Sequence, residues 1–293
     1  MNRKRFILLK FHSKITKKTA MKLTLSYSPC PNDTFIFDAL LHHKIDTEGL
    51  NFEVLLGDVE ELNRRAFRGE PHVTKLSYHA LAHLTHTYAL LMSGSALGSN
   101  CGPLLIANQV VTPKKSDTVA IPGKYTTANF LLGIAYPELA QKTEVLFSEI
   151  EDKVLDGSHD FGLLIHENRF TYAERGLHKI ADLGELWEAR TGLPIPLGGI
   201  VVHRGLSVEV QAKVNRVLRR SVEFALANPA QTMDYVSAFA QTMSREVMLQ
   251  HINLYVNHYT VDLGNRGLAA VRYLFAEALR LGLVADMDLQ IVH

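Results

Sequence analysis

Cysteine is scarce in this chain. Two occur among 293 residues, Cys30 and Cys101, in no C-x-x-C pattern. That shortage excludes a disulfide framework and a thiolate metal centre, and it fits a reducing compartment. Charge of one sign is missing too: a formal net charge of +1 gives no electrostatic basis for binding nucleic acid or an anionic membrane. No apolar run approaches the roughly 20 residues of a membrane-spanning helix. Neither G-x-x-x-x-G-K-[ST] nor G-x-G-x-x-G appears, even in the glycine-rich stretch Ser93 to Gly102. A nucleotide cofactor is therefore unsupported, and that stretch reads as close backbone packing or a ligand wall. There is no internal repeat.

What is present is an apolar content of 47%, enough for one large core or two modest ones. Residues 1–20 are rich in Lys and Arg, with one short apolar patch, Phe6 to Leu9, cut off by Lys10. They lack the uninterrupted apolar core of about 7–15 residues that a signal peptide needs, and are expected to be an extension outside the fold. From Met21 onward the pattern is regular. Leu23 to Ser28 reads as a strand stopped by Pro29 and Pro31, followed by a helix carrying Phe35, Ile36, Ala39 and Leu40, with Asn32 and Asp33 as its caps. Phe52 to Leu56, the helix of Val59, Leu62, Ala66 and Phe67 closed by Gly69, strand Val73 to Leu76 and a helix from Ser77 through Ala82 continue the alternation. This order predicts an α/β fold with a parallel sheet and right-handed crossovers.

Apolar segments Tyr88 to Met92 and Pro103 to Ala107 follow, and a second α/β run begins near Asp117. Its strands are expected at Thr118 to Ile121, Val145 to Phe147 and Phe161 to Ile165, with helices after Thr126-Thr127 and around Ile150 to Leu155. The stretch from Trp187 to Gly199 reads as an irregular return to a last strand, Ile200 to Val202. The remainder is helical, on stripes such as Val210, Val214, Val217 and Leu218, and with Asn228-Pro229 as a helix start. The simplest arrangement is two lobes, with the chain crossing near Gln109 and back near Gly199: residues 21–108 with 199–293 in the larger, 109–198 in the smaller. A ligand touching both would draw them together about those crossings.

The candidate site sits where the apolar run Phe161 to Ile165 stops at His166-Glu167-Asn168-Arg169. In open α/β sheets, ligands bind beyond the carboxyl ends of the strands. A lone histidine there is often only hydrogen-bonded in place; its company raises the odds. Three helix starts, at Asn32-Asp33, Ser77 and Thr126-Thr127, offer free N–H groups and positive dipole ends. Together with His166 they suggest a cleft for a small carboxylate-bearing ligand. His166-Glu167 could open a zinc H-E-x-x-H, but Phe170 occupies the second ligand position. His79, His83 and His86 fall on one helical face without a nearby acid or cysteine. They read as a polar face, and a metal-dependent hydrolase is the weaker rival they would support. No metal is expected.

Six ordered stretches carry a resemblance: SPCPNDTFIFDAL (Ser28 to Leu40), KLSYHA (Lys75 to Ala80), SGSALG (Ser93 to Gly98), PGKYTTA (Pro122 to Ala128), IHENRFTY (Ile165 to Tyr172) and TGLPIPLGGI (Thr191 to Ile200). From Met21 onward the chain resembles the 1,4-dihydroxy-6-naphthoate synthase family of the futalosine route to menaquinone. The resemblance implies a two-lobed fold like periplasmic binding proteins, at work in the cytoplasm without a cofactor or an obligate protein partner. It implies a carbon–carbon lyase acting on a small molecule, cyclic dehypoxanthine futalosine, with His166 as catalytic base. Substrate contacts would fall on Lys75, Leu76, Ser77, Thr127 and Ala128, with Asn32, Asp33 and Arg169 beside them. Leu76 stands where many relatives have valine or isoleucine, which a backbone contact tolerates. A non-catalytic, periplasmic-type carboxylate-binding protein is the alternative; it would predict a signal peptide or lipoprotein cysteine near the start.

Overall fold

A computed structural model describes residues 21–240 and 244–293; the extension expected at residues 1–20 lies outside them. The elements in chain order are β1 (Met21–Tyr27), α1 (Pro31–Leu41), β2 (Leu50–Leu56), α2 (Val59–Phe67), β3 (Val73–Ser77), α3 (Tyr78–Ala82), β4 (Tyr88–Leu91), β5 (Ala96–Gly98) and β6 (Leu104–Ala107). Then come β7 (Thr118–Ile121), α4 (Thr127–Ala135), β8 (Gln141–Glu144), α5 (Ile150–Leu155), β9 (Phe161–Leu164), α6 (Asn168–Thr171), β10 (His178–Asp182), α7 (Leu183–Thr191) and β11 (Ile195–His203). The chain closes with α8 (Val208–Ala227), α9 (Pro229–Phe239), α10 (Arg245–Tyr255), α11 (His258–Val261), α12 (Gly264–Arg280) and β12 (Ile291–Val292).

Two mixed sheets result. One runs β12-β4-β11-β3-β1-β2, with β5 also paired to β11; the other runs β10-β6-β9-β7-β8. As the alternation predicts, β1 is parallel to β2 and β3, and β7 to β8 and β9. The long return strand β11 is antiparallel to β3, β4 and β5, and β6 is antiparallel to β9 and β10. Buried Leu23, Leu25, Ile36, Val217 and Val222 join the first sheet to α1 and α8. A second core links Tyr78, Leu90 and Phe275 of the larger part to Leu105, Val119 and Phe161 of the smaller.

Several sequence expectations shift. Leu104–Ala107 pairs with β9 and β10 in the second sheet, so the first crossing lies in residues 99–103 instead of near Gln109. The return falls in residues 192–194, since β11 already starts at Ile195 and pairs with β5. Pro196 is tolerated there because the β5 register slips between Pro196 and Gly198, the kind of bulge that accommodates a residue with no N–H to donate. The strand expected at Val145 to Phe147 is instead β8, the polar and mostly exposed Gln141–Glu144 at the sheet edge. Residues Leu183–Thr191 are helical, with Asp182 accepting from the N–H groups of Gly184 and Glu185. Among the described residues no helix is long and apolar enough to cross a membrane.

Candidate active site

The carboxyl ends of β1, β3, β7 and β9 converge on a cavity of about 710 Å³, partly open to solvent. Asn32, Asp33, Lys75, Leu76, Ser77, Thr127, Ala128 and His166 all line it, together with Ser28, Cys30's neighbour, and with His251 and Tyr255 from α10. Sequence reasoning thus brought eight of its nine site residues to one place. Arg169 is the exception. Its guanidinium donates to the Gly102 carbonyl at 2.7 Å and to Asp182 at 3.2 Å, pinning the segment after β9 to the crossing chain.

Asn32 and Asp33 are not caps. Cys30 holds the cap position of α1 and Pro31 opens the helix, placing both polar residues inside the first turn. There Asp33 is 1% exposed and fully engaged. One oxygen accepts from the Ser28 hydroxyl at 2.7 Å and the Ser28 N–H at 3.3 Å; the other accepts from Asn32 Nδ2 at 2.8 Å and Lys75 Nζ at 2.7 Å. A buried lysine needs such a partner, and Asp33 is how β3 carries a cation into the cavity wall.

Ser77 and Thr127 also act otherwise than as side-chain caps. Ser77 makes no capping bond; its N–H donates to Asn63 Oδ1 at 3.1 Å and its hydroxyl accepts from Asn63 Nδ2 at 3.2 Å. The cap of α4 is Thr126, which accepts from Asn129 N. Thr127 Oγ1 donates to the Leu197 carbonyl at 2.7 Å and accepts from His79 N–H at 3.2 Å, stitching α4 to β11 and α3. Its hydroxyl is thus committed to the fold, while the N–H groups of Thr127 and Ala128, in the first turn of α4, have no acceptor within the helix. Further bonds cross between the two parts: Tyr125 N–H donates to Glu60 at 3.1 Å, and Arg64 meets Glu144 at 2.7 Å. Burial raises the Glu60 carboxyl to about 7.

His166 stands two residues past the end of β9, in the left-handed region at φ 59°, where a non-glycine residue is strained. Its Nδ1 lies 3.5 Å from Cys30 Sγ, and the Phe147 ring packs against it edge-on with ring centres 5.1 Å apart. Burial, the largest influence, pushes its pKa below the usual histidine value; Glu167 and Asp33 oppose that in part. The ring is therefore neutral at pH 7, as a base must be. Burial also drives the Cys30 thiol far up, so it stays protonated. His251 stacks on His166 with ring centres 6.2 Å apart and planes 13° from parallel.

Among the described residues, Cys30, His166 and Glu167 are the one His/Cys/acid group whose ligand atoms lie within 4.8 Å of one another. A thiol held protonated by burial is a poor member of such a set. The His79, His83 and His86 face does not converge. His79 stacks on Phe130 with Nδ1 at the Thr126 carbonyl, while His86 turns outward to Asp286. Sequence reasoning missed His251 and Tyr255. The signal was a histidine on the buried stripe of α10, beside Met248, Ile252 and Tyr255.

Comparison with known proteins decides the family. The family model described as menaquinone biosynthesis matches residues 23–280. The 1,4-dihydroxy-6-naphtoate synthase of Thermus thermophilus is 45% identical over 263 residues, covering 90% of this chain and 96% of that protein. The chain belongs to the menaquinone biosynthesis family. A second relative in this family, the 1,4-dihydroxy-6-naphtoate synthase of Streptomyces coelicolor, is 42% identical over 271 residues, or 91% of this chain and 96% of that one. A crystal structure of a protein from Archaeoglobus fulgidus superposes with a TM-score of 0.86 at 38% identity, covering 90% of this chain and 98% of that chain. The periplasmic aliphatic sulphonate binding protein of Escherichia coli shares the fold alone, with a TM-score of 0.62 at 10% identity, over 90% of this chain and 89% of that chain. The two-lobed, periplasmic-binding-protein-like architecture is therefore the family's scaffold here.

Proposed function

We propose that this protein is a 1,4-dihydroxy-6-naphthoate synthase, converting cyclic dehypoxanthine futalosine into 1,4-dihydroxy-6-naphthoate by base-initiated carbon–carbon cleavage. The observation that carries the reading is His166: a neutral imidazole in strained backbone, at a strand end, facing a cavity with one buried cation. With Nδ1 directed at the Cys30 sulfur, Nε2 is the nitrogen free to take a substrate hydroxyl proton. Loss of that proton lets the neighbouring carbon–carbon bond break, and the ring becomes aromatic as the sugar-derived fragment leaves. The chemistry asks the protein for a base, an anion site and exclusion of water.

The anion site draws on residues that line the same cavity as the base. The Thr127 and Ala128 N–H groups at the start of α4 and the Lys75 ammonium suit an aryl carboxylate, and Ser77 has a hydroxyl proton to offer it. Arg169, bonded to the Gly102 carbonyl and Asp182, positions the chain after the base. The decisive experiment is mass spectrometry of products after incubation with cyclic dehypoxanthine futalosine. Formation of 1,4-dihydroxy-6-naphthoate is expected; intact substrate, bound but unchanged, would instead favour a binding protein.

A further inference from the structure

His251 plays no part in the reading above, yet its surroundings fix its chemistry closely. Asp33, a carboxylate with its lone pairs turned to Ser28, Asn32 and Lys75, can only accept, so the group of Asn32 that meets it at 2.8 Å is the Nδ2 donor. The other end of that amide, Oδ1, must therefore face His251 Nε2, which lies 2.9 Å away. A carbonyl oxygen accepts, so Nε2 carries the proton. A neutral imidazole has only one such proton, and Nδ1 is left as a bare acceptor.

That acceptor is stranded. His251 is 0% exposed, its Nδ1 is buried with no hydrogen-bond partner, and the residue lines the same cavity as His166. Protonation cannot relieve it. Burial, with the His166 ring and the Lys75 ammonium nearby, holds the His251 pKa well below the usual histidine value. A buried acceptor left unsatisfied is destabilising, and a ligand donor would remove that penalty on binding.

We propose that His251 Nδ1 accepts a hydrogen bond from a hydroxyl group of the ligand, and so selects hydroxylated over unhydroxylated aromatic carboxylates. The chain Lys75–Asp33–Asn32–His251 is then one device with two outputs, a cation for the carboxylate and an acceptor for a hydroxyl. Sites built to bond a hydroxyl reject analogues lacking it, because their own polar group stays unpaired. The inference deepens the proposed function and rests on it for the identity of the ligand.

The test is a binding cycle read by calorimetry with two probes, 1,4-dihydroxy-6-naphthoate and 2-naphthoate, which has neither hydroxyl. Wild type should prefer the dihydroxy compound by about 10- to 100-fold. His251→Phe keeps the ring but has no acceptor, and its preference should fall to about twofold or less. His251→Asn offers an amide oxygen near the Nδ1 position and should restore part of the preference. An equal preference in wild type and His251→Phe would overturn the inference. Should His251→Phe fail to fold, nitrogen-15 NMR of histidine-labelled wild type reads the same point. Nδ1 should resonate as an unprotonated nitrogen and move with the dihydroxy compound but not with 2-naphthoate; a protonated Nδ1 would overturn the assignment. Failure of the proposed function itself looks different, as wild-type protein that yields no naphthoate from cyclic dehypoxanthine futalosine, whichever probe it binds.

Discussion

The two walls of the cavity are built on opposite plans. On the large-sheet side, Asp33, Asn32, Lys75 and Ser28 form a network in which each oxygen of the Asp33 carboxylate accepts two hydrogen bonds, and the unpaired atom at its end is His251 Nδ1. On the small-sheet side, His166 sits at a positive φ, Glu167 has a buried oxygen without a partner, and the nearest polar contact of the His166 ring is a 3.5 Å approach to sulfur. Satisfied networks rigidify what they contain. Strain and unpaired groups, by contrast, collect where a ligand will supply what is missing. The difference teaches where each job is done: one wall holds the substrate still, and the other does chemistry to it.

Breaking the reactive wall should have the largest effect. His166→Ala is expected to lower kcat by roughly 10²–10⁴-fold with the fold and probe binding largely retained. Near-normal turnover would remove the histidine from the mechanism, and an unfolded variant would make it a structural residue. Breaking the holding wall should instead register in stability. Asp33→Ala leaves a lysine that is 8% exposed without its counter-charge, and loss of one partner of a buried pair costs about 3–5 kcal/mol. Urea titration would show it as a lowered midpoint; an unchanged midpoint would mean that the pair is not structural.

Thr127 sharpens the comparison because its hydroxyl ties α4, on the small-sheet side, to β11 and α3 on the large-sheet side. Thr127→Val deletes the hydroxyl that joins Leu197 to His79, so about 1–3 kcal/mol of stability should go while affinity for 2-naphthoate changes little. A weakened affinity at normal stability would return the hydroxyl to the ligand. The smallest effect concerns pH. A base works as the neutral form, and burial lowers the His166 pKa, so activity is present above that pKa and lost as pH falls through it. The acid limb of kcat/KM should accordingly lie below about 6.5, the value of an unperturbed histidine. A limb above that value would show that charge, not burial, governs the site.

Much of this was legible in the chain. The strand-end position of His166, the helix starts and the α/β alternation are local features, written in short apolar runs and in Gly, Pro, Ser and Thr punctuation. The crossings were misplaced because Leu104–Ala107 looks the same in either sheet; only its partners, β9 and β10, decide. Edge strand β8 carries no apolar alternation to read. Asp33 as the anchor of Lys75, and His251 as the neighbour of His166, depend on contacts across 42 and 85 positions of chain, beyond the reach of periodicity. Arg169 went astray for a simpler reason: a cation next to a candidate base invites a ligand, and here Asp182 had already claimed it.

The positive φ at residue 166 has an evolutionary reading. Glycine, and to a lesser degree asparagine, occupy that backbone region with little penalty, and relieving such strain is worth on the order of 1–3 kcal/mol. Selection for stability alone would therefore push position 166 away from histidine, while selection for turnover would hold it there. In a randomised library carried without demand for product, this codon should be among the first to drift, toward proteins that are hardier and idle.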